Sequence, residues 1–432
     1  MELETELRRA LRSREVTAPT ADPVPAVHAG MRRRRRRQRV QVLGSALGVV
    51  AVAFAAFAVV DRGPGSSAPR PAGTPQADVP TGFGATDVSF VDADRGWAIG
   101  QAFCGTQRCV IQLVTSDGGR TWVRRTAQGL PSTCGSTSCA WQIRFATDRI
   151  GYAFRGQIAG VAGLWVTTDA GRTWSLSGAT EVVDLAVGNG TAVRLVPTAP
   201  GCSPACTYLV QTSEVGSLVW RTVHTSTGQR TGAVVAARGN RFLTAVLDHP
   251  QGDLADARSD VGRLKDGGWV GQVDPCSPRL DAGPESDTIR VALGPEGVAA
   301  VVCQPRAGGL VAPGTASASG LPPSDLRVST DGGQTWSPLR PVGSSVGRIA
   351  APGPARFVVE VFTPSQLRLL LTDDAGRTWK AVASTDASDV GELADSLAFT
   401  SALDGTWLPA NGHELWRTSD GGSTWTAYPF VG

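Results

Sequence analysis

The octapeptide STDGGQTW at residues 329–336 decides the fold, because four near-copies of it recur along the 432-residue chain. The copies are TSDGGRTW at 115–122, TTDAGRTW at 167–174, TDDAGRTW at 372–379 and TSDGGSTW at 418–425. Asp at the third position can accept backbone N–H groups across a tight turn, and Gly at the fifth permits a positive φ. Thr then opens a strand and Trp supplies a large apolar ring. Each copy therefore predicts a tight turn between two antiparallel strands.

The repeat tryptophans set a period that fits one four-stranded sheet. Two further turns look like decayed copies, TSEVGSLVW at 212–220 and KDGGW at 265–269. With them, tryptophans stand at 122, 174, 220, 269, 336, 379 and 425. Hairpins such as VSFVDADRGWAIG at 88–100 precede the turns, with an apolar strand, a polar turn and then Gly followed by an aromatic residue. Seven such units predict an all-β, seven-bladed β-propeller over residues 86–432.

The octapeptide resembles the Asp box, or bacterial neuraminidase repeat, S/T-x-D-x-G-x-T-W. Together, hairpin and box resemble the propellers of photosystem II assembly and stability factors, and more distantly those of sortilin-type receptors and sialidases. The resemblance covers residues 86 to 427 and is specific for fold, whereas one fold hosts many activities. It implies that the box residues build turns rather than perform chemistry. These residues are Asp117, Trp122, Asp169, Trp174, Asp331, Trp336, Asp374, Trp379, Asp420 and Trp425.

The first 85 residues predict a membrane anchor. Residues 40–60 carry no charge and are long enough for a helix to cross a bilayer. The basic tail at 1–39 holds 11 Arg against 5 acidic residues, and the positive-inside rule places such a tail in the cytoplasm. Residues 61–85, rich in Pro, Gly and Ser, form a linker. We therefore expect a single-pass protein of the cell membrane with an extracytoplasmic propeller. A cleaved signal peptide is the alternative, but its apolar region is usually shorter.

Residues 2–15 place Leu3, Leu7 and Leu11 on one face of a predicted amphipathic helix. This helix either docks on a cytoplasmic partner through residues 1–16 or rests on lipid headgroups. The order of helix, Arg run, single span and exported domain resembles small bacterial membrane regulators, including anti-sigma-like proteins. A sensory propeller on such a regulator is therefore one alternative function.

All eight cysteines follow the predicted span, which is typical of disulfides in an oxidising compartment. Short sequence separation predicts three local bonds, and elimination predicts the fourth. The predicted bonds are Cys104–Cys109, Cys134–Cys139, Cys202–Cys206 and Cys276–Cys303. The spacing of Cys202 and Cys206 also occurs in zinc sites, but the four His residues are scattered and no CxxC occurs. We expect neither a metal nor a cofactor.

Binding is expected on the propeller face opposite the boxes. If each box joins the third and fourth strands, the loops between second and third strands lie on the other face, together with the predicted disulfide loops. Disulfides in such loops reduce the ordering cost of binding, or they only protect the loops from proteolysis. The polar candidates for ligand binding in these loops are Arg108, Arg155, His249, Arg306 and His413. The sequence predicts a non-catalytic module that binds or assembles with a protein, peptide or glycan.

Two other classes of function fit the sequence less well. The resemblance to sialidases implies a Tyr nucleophile, an Asp acid/base and three Arg residues that hold a carboxylate, with an Arg-Ile-Pro signature. This chain has three tyrosines and no Arg-Ile-Pro, and Tyr152 stands where Trp97 and Trp407 stand in sister units. An exo-sialidase-like glycoside hydrolase is therefore the enzymatic alternative. Nucleic-acid binding is disfavoured, because residues beyond 39 hold 30 basic against 33 acidic side chains.

Overall fold

The computed structural model divides the chain into two compact units, Met1–Thr74 and Pro75–Gly432. Described residues all lie in the second unit, at 79–134, 140–155, 163–178, 180–199, 207–226, 230–248, 260–276, 286–305, 324–363, 365–386 and 396–430. The predicted amphipathic helix, basic tail and membrane span lie outside the described residues, and so do residues 61–78 of the linker. Within these ranges the chain forms strands and turns, and no helix there is long and apolar enough to cross a membrane.

Seven antiparallel sheets of four strands each follow one another along the chain, so the predicted seven-bladed β-propeller is confirmed. Blade 1 contains β1 (Gly84–Phe90), β2 (Gly96–Cys104), β3 (Gln107–Thr115) and β4 (Val123–Arg125). Blade 2 contains β5 (Trp141–Phe145), β6 (Gly151–Arg155), β7 (Leu164–Thr167) and β8 (Ser175–Gly178). Blade 3 contains β9 (Asp184–Val187), β10 (Thr191–Pro197), β11 (Tyr208–Glu214) and β12 (Arg221–Thr225).

The remaining four blades repeat this order. Blade 4 contains β13 (Arg230–Arg238), β14 (Arg241–Asp248), β15 (Asp260–Lys265) and β16 (Gly268–Gly271). Blade 5 contains β17 (Ser286–Leu293), β18 (Ala299–Pro305), β19 (Asp325–Ser329) and β20 (Arg340–Pro341). Blade 6 contains β21 (Ser345–Ala350), β22 (Phe357–Phe362), β23 (Gln366–Thr372) and β24 (Lys380–Asp386). Blade 7 contains β25 (Ser396–Phe399), β26 (Gly405–Leu408), β27 (Glu414–Thr418) and β28 (Thr426–Pro429).

Each of the five boxes forms the turn between the third and fourth strands of its blade, as the sequence predicts. In the blade 2 box, the Thr167 hydroxyl donates to Asp169 Oδ1 at 2.9 Å. Asp169 in turn accepts the N–H of Thr173 at 2.9 Å and its hydroxyl at 2.7 Å. The same three bonds recur at Asp117, Asp331, Asp374 and Asp420. The Asp side chain therefore bonds the first and seventh residues of the box together across the turn.

Box positions four and five both have positive φ, which the sequence indicated only for the fifth. Glycine fills position four in three boxes, but Ala170 and Ala375 hold it at φ 66° and 60°. An L-residue in this conformation is strained, so these alanines are costly positions within the turn.

The two decayed copies form different turns. In blade 4, Asp266 and Gly267 make a two-residue turn with φ of 51° and 75°. A positive φ at both central residues is typical of a type I′ hairpin turn. In blade 3, the Tyr152 hydroxyl of blade 2 accepts the N–H of Gly216 at 2.8 Å. A side chain from the neighbouring blade thus substitutes for part of the missing box.

The apolar core lies between adjacent blades. Between blades 1 and 2, Trp97 stacks on Phe145 with ring centroids 3.8 Å apart. The box residue Trp174 meets the edge of the same Phe145 ring at 6.1 Å. Its indole N–H donates to Gln112 of blade 1 at 3.0 Å. The box tryptophan therefore joins neighbouring blades as well as its own strands.

Blades 1 and 7 close the ring without exchanging a strand, since each described sheet is built from consecutive strands. Phe83 packs edge-on against Phe430 with ring centroids 5.4 Å apart. The N–H of Ala85 donates to the carbonyl of Gly412 at 2.8 Å. Side-chain packing and isolated hydrogen bonds therefore hold the two chain ends of the ring together.

Candidate ligand-binding face and central channel

The strand order places the box turns on one face of the propeller and the loops between second and third strands on the other. Each blade runs antiparallel from its first to its fourth strand, so turns joining first to second strands share the box face. We call the opposite side the loop face. It carries the loops between second and third strands and those between blades.

Arg108 lies at the start of β3 on the loop face and is exposed. Its guanidinium lies 5.7 Å from the centroid of the Phe103 ring and donates to Gln101 Oε1 at 3.4 Å. His413, just before β27 in blade 7, is also exposed on this face. Arg108 and His413 therefore occupy the predicted loops of two adjacent blades.

Arg155 ends β6 at the loop face, yet only 4% of it is exposed. Its guanidinium lies over Trp141, 5.8 Å from the ring centroid. Burial lowers the pKa of Arg155. This arginine therefore packs within blade 2 more than it faces solvent. The other two predicted ligand-binding residues, His249 and Arg306, lie outside the described residues.

Two predicted disulfides are confirmed. Cys104 and Cys109 are joined across the β2–β3 turn, and Cys276 is joined to Cys303 at the loop-face end of blade 5. Cys134 is disulfide-bonded, while its predicted partner Cys139 lies outside the described residues. Cys202 and Cys206 also lie outside them.

A central channel runs through the described part of the ring. The cavity has a volume of about 890 Å³ and is lined by the first strand of every blade. Charged side chains on these strands face it, among them Asp87, Arg144, Asp184, Arg290 and Arg348. The channel can therefore hold a small polar ligand, although sequence periodicity alone did not identify these residues.

Asp87 links the first strands of blades 1 and 2. It accepts the N–H of Ile143 at 2.9 Å and forms an ion pair with Arg144. Burial raises the pKa of Asp87, while Arg144 and the hydrogen bonds oppose that rise. Beside it, Ser89 accepts the N–H of Phe145 at 2.8 Å. Polar side chains of β1 thus accept backbone N–H groups at the free edge of β5, the inner strand of the next blade.

Asp184 performs the corresponding task between blades 3 and 4, where it accepts the N–H of Val235 at 2.8 Å. Burial raises the pKa of Asp184, and Arg144 and Arg348 act in the opposite direction. The signal that could have revealed both residues is an Asp within an inner strand and directly before an apolar residue, as in DVSF at 87–90 and DLAV at 184–187.

A second cluster that the sequence did not reveal joins blades 3 and 4. His224 Nε2 lies 2.7 Å from Asp260 Oδ2, and its ring stacks on Trp269 with centroids 3.6 Å apart. The three residues come from β12, β15 and β16, so only the folded ring brings them together. In the described part of the chain, no group of three or more His, Cys, Asp or Glu is placed to hold a metal ion.

These features define the class of protein as a seven-bladed β-propeller with Asp-box turns. Residues 327–338 match the BNR/Asp-box repeat family, which confirms the resemblance drawn from the octapeptides. No curated protein matches the chain in sequence.

Among solved structures, the chain is similar to the GH74 enzyme of Niastella koreensis, with 12% identity over 80% of this chain and 65% of that chain, and a TM-score of 0.39. It is similar to the β-propeller domain of the Trilobed protease from Pyrococcus furiosus, with 9% identity over 81% of this chain and 96% of that chain, and a TM-score of 0.48. It is also similar to the acylaminoacyl peptidase of Pyrococcus horikoshii, with 9% identity over 81% of this chain and 52% of that chain, and a TM-score of 0.49. The chain thus spans less than two thirds of the first and third of these structures.

Proposed function

We propose that this chain is a non-catalytic binding module, held at the outer face of the cell membrane by one helix at residues 40–60. The propeller binds a protein, peptide or glycan through its loop face. The observation that carries the proposal is the division of labour between the faces. On the box face the Asp side chains are occupied in closing their own turns, whereas the loop face carries the disulfide-bonded loops.

The burial of two of the three tyrosines supports a non-catalytic role over a sialidase-like one. Tyr152 and Tyr208 are fully buried, and the Tyr152 hydroxyl accepts a backbone N–H between blades. Burial raises the pKa of Tyr152, which disfavours the phenolate that a nucleophile needs. Neither residue is placed for attack on a sugar. Incubation of the protein with fluorogenic sialosides addresses this directly, and robust turnover would overturn the non-catalytic proposal.

The binding experiment compares pairs of substitutions in the full chain held in lipid nanodiscs. Wild-type protein is screened on a glycan array and against a random-peptide library. Arg108→Ala with Arg306→Ala should weaken capture of the selected ligands without changing thermal stability. Asp117→Ala with Asp331→Ala should lower the melting temperature and spare affinity in the protein that remains folded. If the Asp pair abolishes capture in folded protein while the Arg pair does nothing, the loop face is not the binding face.

The anchor is tested separately by topology. Protease added to intact spheroplasts should digest the propeller and spare the first 39 residues. Protection of the propeller in that experiment would contradict the proposed orientation.

A further inference from the structure

One hairpin on the loop face is built differently from its counterparts. In blade 1, β2 and β3 are nine residues long each, the longest pairing of second and third strands among the described blades. The strands turn at Gly105, with φ of 68°, and Thr106. Among the described strands, β2 and β3 therefore pair over the greatest length toward the loop face.

The tip of this hairpin presents an aromatic ring and a guanidinium on one side. Phe103 and Arg108 are cross-strand partners in the β2–β3 register. Phe103 is 65% exposed and is the only aromatic residue among the strongly exposed large apolar side chains of the described chain. Side chains alternate between the two sides of a strand, so the Cys104–Cys109 disulfide lies on the other side. The disulfide therefore stabilises the hairpin without covering the Phe103 and Arg108 side chains.

The hairpin is held rigid by more than its own disulfide. Beyond the end of β4, the outer edge of β3 pairs with the segment that leads to blade 2. Val110 N–H donates to the Ser132 carbonyl at 3.0 Å, and Cys134 N–H donates to the Arg108 carbonyl at 3.0 Å. Cys134 is itself disulfide-bonded. A rigid tip loses little conformational freedom when it binds, so its side chains are suited to act as anchors.

The charge around the tip selects the kind of partner. Between residues 95 and 168 the chain has only two acidic residues, Asp117 and Asp148. Asp117 lies in the box turn and Asp148 in the β5–β6 turn, so both are on the box face. The loop face of blades 1 and 2 therefore carries Arg108 with no acidic residue from this span to offset it. Aromatic residues and Arg are also the types that dominate binding energy in protein interfaces.

We propose that the Phe103–Arg108 tip docks an acidic, partly apolar segment of a partner protein. Phe103 fills an apolar contact, and Arg108 pairs with a carboxylate beside it. The inference rests on the proposed function in one respect, that the propeller is a binding module. It goes further by naming the partner as a protein with an acidic segment and the hairpin of blade 1 as the contact.

The test places a photo-cross-linking amino acid, p-benzoylphenylalanine, at single positions of the full chain in its host membrane. Thr106 reports on the hairpin tip, His413 on the loop face of blade 7, and Ser116 on the box face as background, since all three are exposed. Adducts are mapped by mass spectrometry to the residue that was captured. The expected result is a protein adduct at Thr106 whose captured segment contains Asp or Glu next to an apolar residue.

A peptide with the mapped sequence is then titrated against variants of the full chain in nanodiscs. Phe103→Ala and Arg108→Glu should each weaken binding at least about fivefold, the usual effect of truncating an interface anchor. Arg108→Lys should retain most of the affinity. Replacing the acidic residues of the peptide with Lys should restore binding to Arg108→Glu. Unchanged affinity in either Phe103→Ala or Arg108→Glu would overturn the inference.

The cross-linking pattern separates failure of this inference from failure of the proposed function. A protein adduct at His413 with none at Thr106, or only a lipid adduct at Thr106, overturns the docking site and leaves the loop face as a binding surface. If neither loop-face position gives an adduct above the Ser116 background, the result counts against both the docking site and the proposed binding role of the loop face.

Discussion

The guanidinium of Arg417, in blade 7, donates to the carbonyl oxygen of Gly118 in the box of blade 1 at 2.8 Å. It also donates to the carbonyl of Ala93 at 2.6 Å and lies 4.7 Å from the centroid of the Phe90 ring. Burial lowers the pKa of Arg417. One arginine of the last blade therefore holds the first blade at the seam where no strand is exchanged.

Comparable contacts occur between blades that the chain already joins. Arg125 of blade 1 donates to the Ala170 carbonyl of the next box at 2.8 Å, and Arg340 of blade 5 donates to the carbonyl of Ala375. Gly118, Ala170 and Ala375 all occupy box position four. The box is thus a connector between blades, because its fourth carbonyl points to the preceding blade in the ring.

We expect Arg417→Met to destabilise the ring at its seam. Methionine keeps an apolar stem but has no N–H donors, so two carbonyls lose charge-assisted hydrogen bonds. The free energy of unfolding should fall by about 2–3 kcal/mol in urea denaturation followed by Trp fluorescence. Hydrogen exchange should rise first in residues 79–90 and 426–430. Arg95→Met, which removes two exposed ion pairs, is the control, and equal effects of the two variants would contradict a seam role for Arg417.

We expect Ala170→Gly and Ala375→Gly to be stabilising. Each alanine has a positive φ, which costs an L-residue about 1–2 kcal/mol, whereas glycine adopts it freely at a smaller entropic cost. The net gain should be about 0.5 kcal/mol for each, read as a higher denaturation midpoint. The matched reverse change is Gly332→Ala, at the same box position with φ of 76°, which should be destabilising. A loss of stability in both Ala→Gly variants would show that the alanine methyl groups contribute more than the strain costs.

We expect the box carboxylates to make stability depend on acid pH. Partial burial on its own would raise the pKa of Asp169, but the hydrogen bonds from Thr173 and Thr167 bring it down to about 2. Because the folded-state pKa lies below the unfolded value, the stabilisation is present above about pH 4 and is lost as the pH falls towards 2. Asp169→Asn should therefore cost about 1 kcal/mol at pH 6, and the difference from wild type should shrink by pH 2.

The control for this pH series is Asp148→Asn, at an exposed residue outside any box. Its difference from wild type should stay small at every pH. A difference for Asp169→Asn that is constant from pH 6 to pH 2 would mean that the turn needs the shape of the side chain and not its charge.

We expect the two confirmed disulfides to contribute unequally. Cys276–Cys303 closes a sequence separation of 27 residues, and Cys104–Cys109 one of 5. In the chain-entropy description, removing the longer closure costs about 3–4 kcal/mol and removing the shorter one about 2. Paired Cys→Ser variants in thermal denaturation measure this order. Peptide mapping without reduction should show the same two bonds and the predicted 134–139 and 202–206 bonds, and a free thiol would contradict the assignment.

The sequence determined the blades because their signals are local. A box Asp bonds to residues two to four positions away, so Asp117 or Asp331 carries its structural role within one octapeptide. Repetition of that octapeptide at blade-length intervals then sets the number of sheets. Short-range disulfides follow the same logic, since Cys104 and Cys109 meet across one hairpin turn.

Only the tertiary structure decided which residues meet across blades. Asp87 and its partner Arg144 are 57 residues apart, and Arg417 and Gly118 are 299 apart. No periodic pattern encodes such pairs, because they depend on how much each blade is rotated against the next. For the same reason, Arg155 was a candidate for ligand binding by its position in the repeat, yet it packs against Trp141 within the fold. The sequence thus determined the turns and sheets, whereas the curvature of the ring decided the channel, the seam and the exposure of each loop side chain.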